Sequence, residues 1–178
     1  MEKKGTVYFF TGLAGAGKTT IGSLFYERLC RRSEKAVLLD GDQIRGEAGD
    51  SCLTTGAVLR EDRYTTEARR TGAYGLFRRC KGLADEGKDV VCCSISMYSG
   101  VRQWNRENIE NYKEIYVKVT RETLYRRDQK KLYSSGAKNV VGVDLPYDEP
   151  ECPDVVVEND GGETPEEIVD RLAEKFGL

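Results

Sequence analysis

One octapeptide limits the folds open to this chain more than anything else in it. Gly12-Leu-Ala-Gly-Ala-Gly-Lys18-Thr19 fits the pattern Gly-x-x-x-x-Gly-Lys-Ser/Thr at every fixed position. It stands between the apolar run 6–11, which reads as a buried strand, and an amphipathic stretch from Lys18 to Arg32 with Ile21, Leu24, Phe25 and Leu29 on one face. Glycines at such a turn let backbone amides face phosphate oxygens, and the helix that follows adds the positive end of its dipole. Gly12, Leu13, Ala14, Gly15, Ala16 and Gly17 then supply the cradle, with Thr20 closing it on the helical side. Lys18 brings charge to the β- and γ-phosphates, and Thr19 a hydroxyl suited to Mg²⁺. Pattern and context together point to a nucleoside triphosphate site rather than to a bare glycine-rich turn.

The rest of the chain alternates short β-rich runs with helical periodicity. Strands are expected at 36–40, 89–95, 114–119 and 155–157, and helices at 61–86, 101–110, 121–131 and from Pro165 onward. Thr164-Pro-Glu-Glu167 marks the last helix start with an N-cap, a Pro at the first position and a capping-box Glu. Gly41 to Leu59 reads as irregular, with one helical turn around Ile44, and 132–153 reads as a long mobile lid. The expected fold is α/β: a P-loop kinase fold with a parallel sheet flanked by helices on both faces, in one domain over 1–178.

Composition narrows the chemistry. Among 178 residues there is no histidine, so imidazole acid–base catalysis, His-containing triads and His-ligated zinc are excluded. Against 30 Asp+Glu stand 28 Lys+Arg, a net charge of −2, which offers no global field to nucleic acid or to an anionic membrane. The six cysteines contain no Cys-x-x-Cys pair, and adjacent Cys92 and Cys93 belong on opposite faces of a strand, as expected of reduced, mostly buried thiols. No apolar stretch reaches membrane-spanning length and no signal peptide is read at the start, so a cytoplasmic protein is expected.

Asp40-Gly41-Asp42 ends the second expected strand, at the sheet edge where open α/β proteins bind ligands. These carboxylates suit Mg²⁺ or proton acceptance, although Asp and Gly also belong in a solvated turn. Arginines are numerous, at 45, 60, 63, 69, 70, 102, 106, 126 and 127, and those beside the lid, Arg126 and Arg127 with Lys130 and Lys131, are the better candidates for a transferred phosphoryl group. No Asn-Lys-x-Asp element for guanine is present, which favours a small-molecule kinase over a signalling GTPase.

Further strings resemble the adenylylsulfate (APS) kinase family. They are Leu39-Asp-Gly-Asp-Gln-Ile-Arg45, Asp62-Arg63, Ile95-Ser-Met-Tyr98 with Arg102 and Arg106, Arg127-Asp128 with Lys130-Lys-Leu-Tyr133, and Gly142-Val-Asp-Leu-Pro-Tyr-Asp-Glu-Pro150. The resemblance implies ATP- and Mg²⁺-dependent phosphorylation of a nucleotide's ribose 3′-hydroxyl, commonly by a homodimer. It implies Thr19 and Asp40 around the metal, Asp40 or Asp42 as base, Arg127 on the ATP side, and Arg45 and Arg63 on the acceptor's phosphate group. Lys130 would reach in from the lid, and Ser96, Met97, Tyr98, Leu132, Val140 and Val141 would line the acceptor side. Ser96 matches a serine described in the family as a phosphoserine intermediate, a role that direct in-line transfer does not need.

Departures gather on the acceptor side. Gly49–Val58 replaces the family's shorter Asp-Leu-Gly-Phe-Ser, and Val140-Val141-Gly142 replaces Phe-Thr-Gly, which removes both phenylalanines expected to sandwich adenine. Ser96-Met-Tyr-Ser99 stands for Ser-Pro-Tyr-Arg, and Tyr64-Thr-Thr-Glu67 lacks the usual Asn. Three readings stay open: an APS kinase whose pocket is rebuilt with Tyr64, Tyr98 or Trp104; a kinase for another nucleotide-linked acceptor such as cytidine diphosphoramidate; and a nucleotide-binding regulator without catalysis.

Overall fold

The computed structural model describes residues 3–47, 65–128, 131–136 and 138–178, with the side chains of 45–47 outside that description. The chain alternates strand and helix: β1 (Val7–Thr11), α1 (Lys18–Cys30), β2 (Val37–Asp40), α2 (Gly41–Glu47), α3 (Thr66–Asp85), β3 (Val90–Cys93), α4 (Ser99–Asn108), β4 (Tyr112–Lys118), α5 (Arg121–Arg127), β5 (Val155–Glu158) and α6 (Pro165–Phe176). The five strands are parallel in the order β2-β3-β1-β4-β5, so β1 lies at the centre, with Phe10 opposite Cys93 on one side and Ile115 on the other.

Two apolar layers cover the sheet because strand side chains alternate. Tyr8 and Phe10 join Ile21, Phe25 and Leu29 of α1 and Ile168 and Leu172 of α6. Val7 and Phe9 join Phe77 and Cys80 of α3 and Val101 of α4, with the Phe9 and Phe77 rings edge to face at 4.7 Å. Cys92 and Cys93 divide between the same two layers, as strand geometry requires. Both thiols are free.

Helix ends follow their chemistry. Thr164 and Glu167 form the capping box of α6, and Thr65 and Thr120 accept N–H groups at the starts of α3 and α5. The stretch expected to be irregular begins instead with α2. Asp40 is its N-cap, Oδ1 accepting from the N–H groups of Asp42 (2.8 Å) and Gln43 (3.3 Å). Helix α5 stops at Arg127, short of the expected 131, because Asp128 turns to a φ of 35° and its carboxylate takes the N–H groups of Tyr133 and Ser134. Strand β3 ends at Cys93, ahead of a turn in which Ser96 adopts a φ of 32°.

The described part of 132–153 is tied to the body at several points, in place of the mobile excursion its composition predicts. Asp144 accepts from the N–H groups of Asn139 and Val140. Asp148 N–H donates to the Met97 carbonyl (2.9 Å), and its carboxylate accepts from Ser99 N–H (2.8 Å). Arg102 donates to the carbonyls of Asp148 (2.8 Å) and Glu149 (3.2 Å) while facing Glu114, which Arg106 also contacts. Arg102 and Arg106, read from sequence among the arginines placed for anions, are thus engaged inside the protein. Burial raises the Glu114 carboxyl and the two guanidiniums pull it back down.

Candidate active site

A cleft of about 550 Å³ opens at the C-terminal edge of the sheet. The loop after β1 brings Ala14, Gly15 and Gly17, the start of α1 brings Lys18 to Ile21, the end of β2 and start of α2 bring Asp40 and Asp42, and β3 with the residues after it brings Cys93, Ser94 and Ile95. Beyond β4, helix α5 and the lid add Arg127 and Leu132, and the turn after β5 adds Asn159, Gly161 and Glu163. An open parallel sheet binds ligands at this edge because the loops diverge there on either side of the central strand.

The loop Gly12–Gly17 wraps the start of α1. Gly17 has a φ of 99°, and a Cβ on it would lie 2.5 Å from Asn159 Nδ2, so conformation and contact both require glycine. The loop's carbonyls are engaged one after another. Lys18 Nζ donates to Leu13 O (2.8 Å), Tyr133 Oη to Ala14 O (2.6 Å), Arg127 Nη1 to Gly15 O (3.2 Å), and Asn159 Nδ2 to Ala16 O (2.8 Å). Above the loop sits the lid: a Cβ on Gly142, whose φ is 88°, would lie 2.9 Å from Leu13 Cδ2.

At the cleft floor Thr19 Oγ1 donates to Asp40 Oδ2 at 2.8 Å, with Asp40 only 7% exposed. A hydroxyl whose proton goes to a carboxylate turns its lone pairs elsewhere, which suits it to a hard divalent cation. Asp42 is exposed and lines the same cleft. Thr19, Asp40 and Asp42 therefore offer the oxygen donors that Mg²⁺ beside phosphates takes. Cys93 also lines the cleft, but burial, with the negative charge of Asp40 adding to it, pushes its thiol up to about 12, so it is no nucleophile at neutral pH.

Ser96 is buried, and its hydroxyl lies 2.7 Å from that of Ser94. Met97, Val140 and Val141 are buried, and none of the three lines the cleft. Of the suggested aromatic replacements, Tyr98 belongs to the α3–α4 layer, and Trp104 packs edge-on against Tyr74. Arg63, Lys130 and Tyr64 lie outside the described residues, as does the Arg45 side chain. Sequence reasoning missed Tyr133 and Asn159 as partners of the loop. Asn159 carried one signal, since it directly follows the last strand at the ligand-binding edge.

The sequence model of the family described as adenylylsulphate kinase matches residues 4–158. Cytidine diphosphoramidate kinase of Campylobacter jejuni subsp. jejuni serotype O:2 is 35% identical over 182 residues, spanning 100% of both chains. Adenylyl-sulfate kinase of Picosynechococcus sp. is 34% identical over 180 residues, covering 99% of this chain and 96% of the relative. Among solved structures, the Mycobacterium tuberculosis APS kinase CysC in complex with AMPPNP and APS superposes with a TM-score of 0.83 at 23% identity, over 99% of this chain and 100% of that one. Motif, sheet order and relatives agree: the chain belongs to the adenylylsulphate kinase family and is a phosphotransferase of the P-loop kinase class.

Proposed function

We propose that this protein moves the γ-phosphoryl group of ATP to the ribose 3′-hydroxyl of a nucleotide acceptor, adenylylsulfate in the reaction that defines the family. The observation that carries this reading is the Thr19–Asp40 hydrogen bond beside Asp42, at the mouth of an engaged phosphate loop. Lys18, Thr19 and the amides of 13–20 hold the triphosphate, and Arg127 borders it. Thr19 and Asp40 hold Mg²⁺, which when bound neutralises charge on the phosphate oxygens. Asp40 is buried at the cleft floor beside Thr19, whereas Asp42 is exposed to the cleft where an acceptor enters. The division of labour follows: Asp40 orients, and Asp42 takes the 3′-hydroxyl proton as that oxygen attacks the γ-phosphorus and ADP leaves. Arg45, Arg63 and Lys130 grip the acceptor, and Ser96 with Tyr98 shapes its wall. The working form is a cytoplasmic homodimer.

A second reading, a cytidine-diphosphate-linked acceptor such as cytidine diphosphoramidate, is favoured by Val140 and Val141. They are folded into the lid where the family resemblance expects an aromatic face for adenine, and no aromatic side chain stands among the described residues lining the cleft. A smaller base needs less stacking surface. The test is ADP release from Mg·ATP with APS in one arm and cytidine and uridine diphosphate derivatives in the other, with product mass recorded. Turnover of APS at a kcat/KM of about 10⁴ M⁻¹s⁻¹ or more supports the first acceptor. A cytidine product one phosphate heavier, with APS inert, supports the second. No turnover in either arm overturns both.

A further inference from the structure

The phosphate loop is held at two of its carbonyls by uncharged side chains that supply no charge to a phosphate. We propose that Tyr133 and Asn159 are positioning residues: by donating to the carbonyls of Ala14 and Ala16 they keep those peptide planes turned with their amide edges toward the cleft. The inference rests on the reading of this loop as the ATP phosphate site.

In a trans peptide the carbonyl of one residue and the N–H of the next point in opposite directions. A donor that fixes Ala14 O away from the cleft therefore aims Gly15 N–H into it, and a donor on Ala16 O does the same for Gly17 N–H. Gly15 and Gly17 both have positive φ, 81° and 99°, and glycine leaves such peptides free to turn over. Some restraint on the carbonyl side is needed for a cradle to exist before the ligand arrives. Lys18 and Arg127 also touch carbonyls here, but as cations they have a direct use for phosphate. Tyr133 and Asn159 do not.

Both donors are themselves well placed. Tyr133 N–H is bound by Asp128, its ring lies 5.3 Å from that of Tyr125, and burial pushes its hydroxyl up to about 12, so it remains a donor throughout the physiological range. Tyr133 is not among the cleft-lining residues, so the loop carbonyl is its target. Asn159 N–H donates to Lys118 O (2.8 Å), and its carbonyl accepts from Arg127 Nη2 (2.6 Å). The close approach of Gly17 leaves room for its amide group. One donor comes from the lid and the other from the turn after β5, so the cradle is set by segments 119 and 143 residues away in sequence from the carbonyls they hold.

The experiment is equilibrium titration of the whole chain with three probes, Mg·ATP, Mg·tripolyphosphate and adenosine, the last read by saturation-transfer NMR. Tyr133→Phe keeps the ring and deletes the donor. Expected are about 3- to 10-fold weaker binding of both phosphate probes, unchanged adenosine binding and an unchanged acceptor KM. Asn159→Ala weakens tripolyphosphate to a similar extent. Parent-like tripolyphosphate affinity in both variants overturns the inference alone, as does an equal loss for adenosine and ATP in Tyr133→Phe accompanied by a lower Tm. A parent chain that binds neither Mg·ATP nor tripolyphosphate overturns the phosphate-site reading, and this inference with it.

Discussion

The two halves of the cleft are built on different principles. On the side read as the phosphate site, backbone amides, one lysine and one threonine come from a single run from Gly12 to Thr19, with Arg127 at its border. On the side where the family resemblance places the acceptor stand the turn at Ser96, α3 and the lid, and each is held by contacts far apart in sequence. A polyphosphate offers the same oxygens in every nucleotide, so one backbone loop serves them all. An acceptor base differs from molecule to molecule and must be met by side chains. Accordingly the Gly-x-x-x-x-Gly-Lys-Ser/Thr pattern is complete at Gly12–Thr19, while the departures read from the family resemblance fall at Ser96–Ser99 and Val140–Gly142.

Substitutions can break or sharpen this contrast. Lys18→Ala, on the phosphate side, should reduce ADP release by about 10³-fold or more for every acceptor with no change in Tm. Retained turnover would remove the loop from the mechanism. Asp42→Asn should cost about 10²–10³-fold in kcat while titration still shows parent-like Mg·ATP affinity. If Asp40→Asn gives that result and Asp42→Asn does not, the two roles are reversed.

Arg102→Met tests the root of the lid. It strips buried Glu114 of one cationic partner, at a cost of about 3 kcal/mol, or about 10 °C in Tm. Burial already raises the Glu114 pKa above the ordinary carboxylate value, and losing Arg102 raises it further. The Tm deficit should therefore be largest near pH 7 and shrink on acidification toward pH 5, as the carboxyl takes up its proton in the variant. A deficit that does not change with pH would assign the loss to packing.

Val140→Phe addresses the base directly. One restored stacking face should lower the KM for APS about tenfold and leave that for ATP unmoved. A change in both would mean that the lid touches ATP as well. The smallest effect belongs to the thiols. Among the described thiols, Cys30 and Cys152 are exposed and should be alkylated first at pH 7, with activity kept, while mass spectrometry finds Cys93 unmodified although it lines the cleft.

The contrast also decides what could be read from the amino-acid sequence. The phosphate loop was legible because its geometry is local: a strand, a glycine-rich turn and a helix follow one another in eight residues plus their flanks. The parallel sheet was legible from alternation of elements, and α6 from its capping box. Helix α2 was legible only as one turn around Ile44 within a stretch read as irregular, since Asp40 was weighed as a ligand or a turn residue and its service as an N-cap was not foreseen. Tyr133 stood within a family-like string and Asn159 directly after the last strand, but neither showed its contact with the loop, because their partners are main-chain carbonyls that carry no side-chain identity. The Arg102–Glu114 contact was hidden for a related reason: a helix residue and a strand residue twelve positions apart show no shared period. The lid's order escaped because it rests on Asp144 and Asp148 accepting backbone N–H groups, and Asp in a loop looks the same whether it is solvated or holding a turn.

The division of neighbouring Cys92 and Cys93 between two separately packed layers carries a consequence for heredity. The sheet is a wall between two compartments. The compartment holding α1 and α6 backs the phosphate loop, and the one holding α3 and α4 backs Ser96, Tyr98 and the lid's root. Substitutions on opposite sides share few neighbours, so their energetic effects add rather than compound. A lineage can accumulate changes behind one wall, altering which molecule is accepted, while the other compartment stays under unchanged selection for ATP. A family that keeps one donor and varies its acceptors is what this architecture makes easy to evolve.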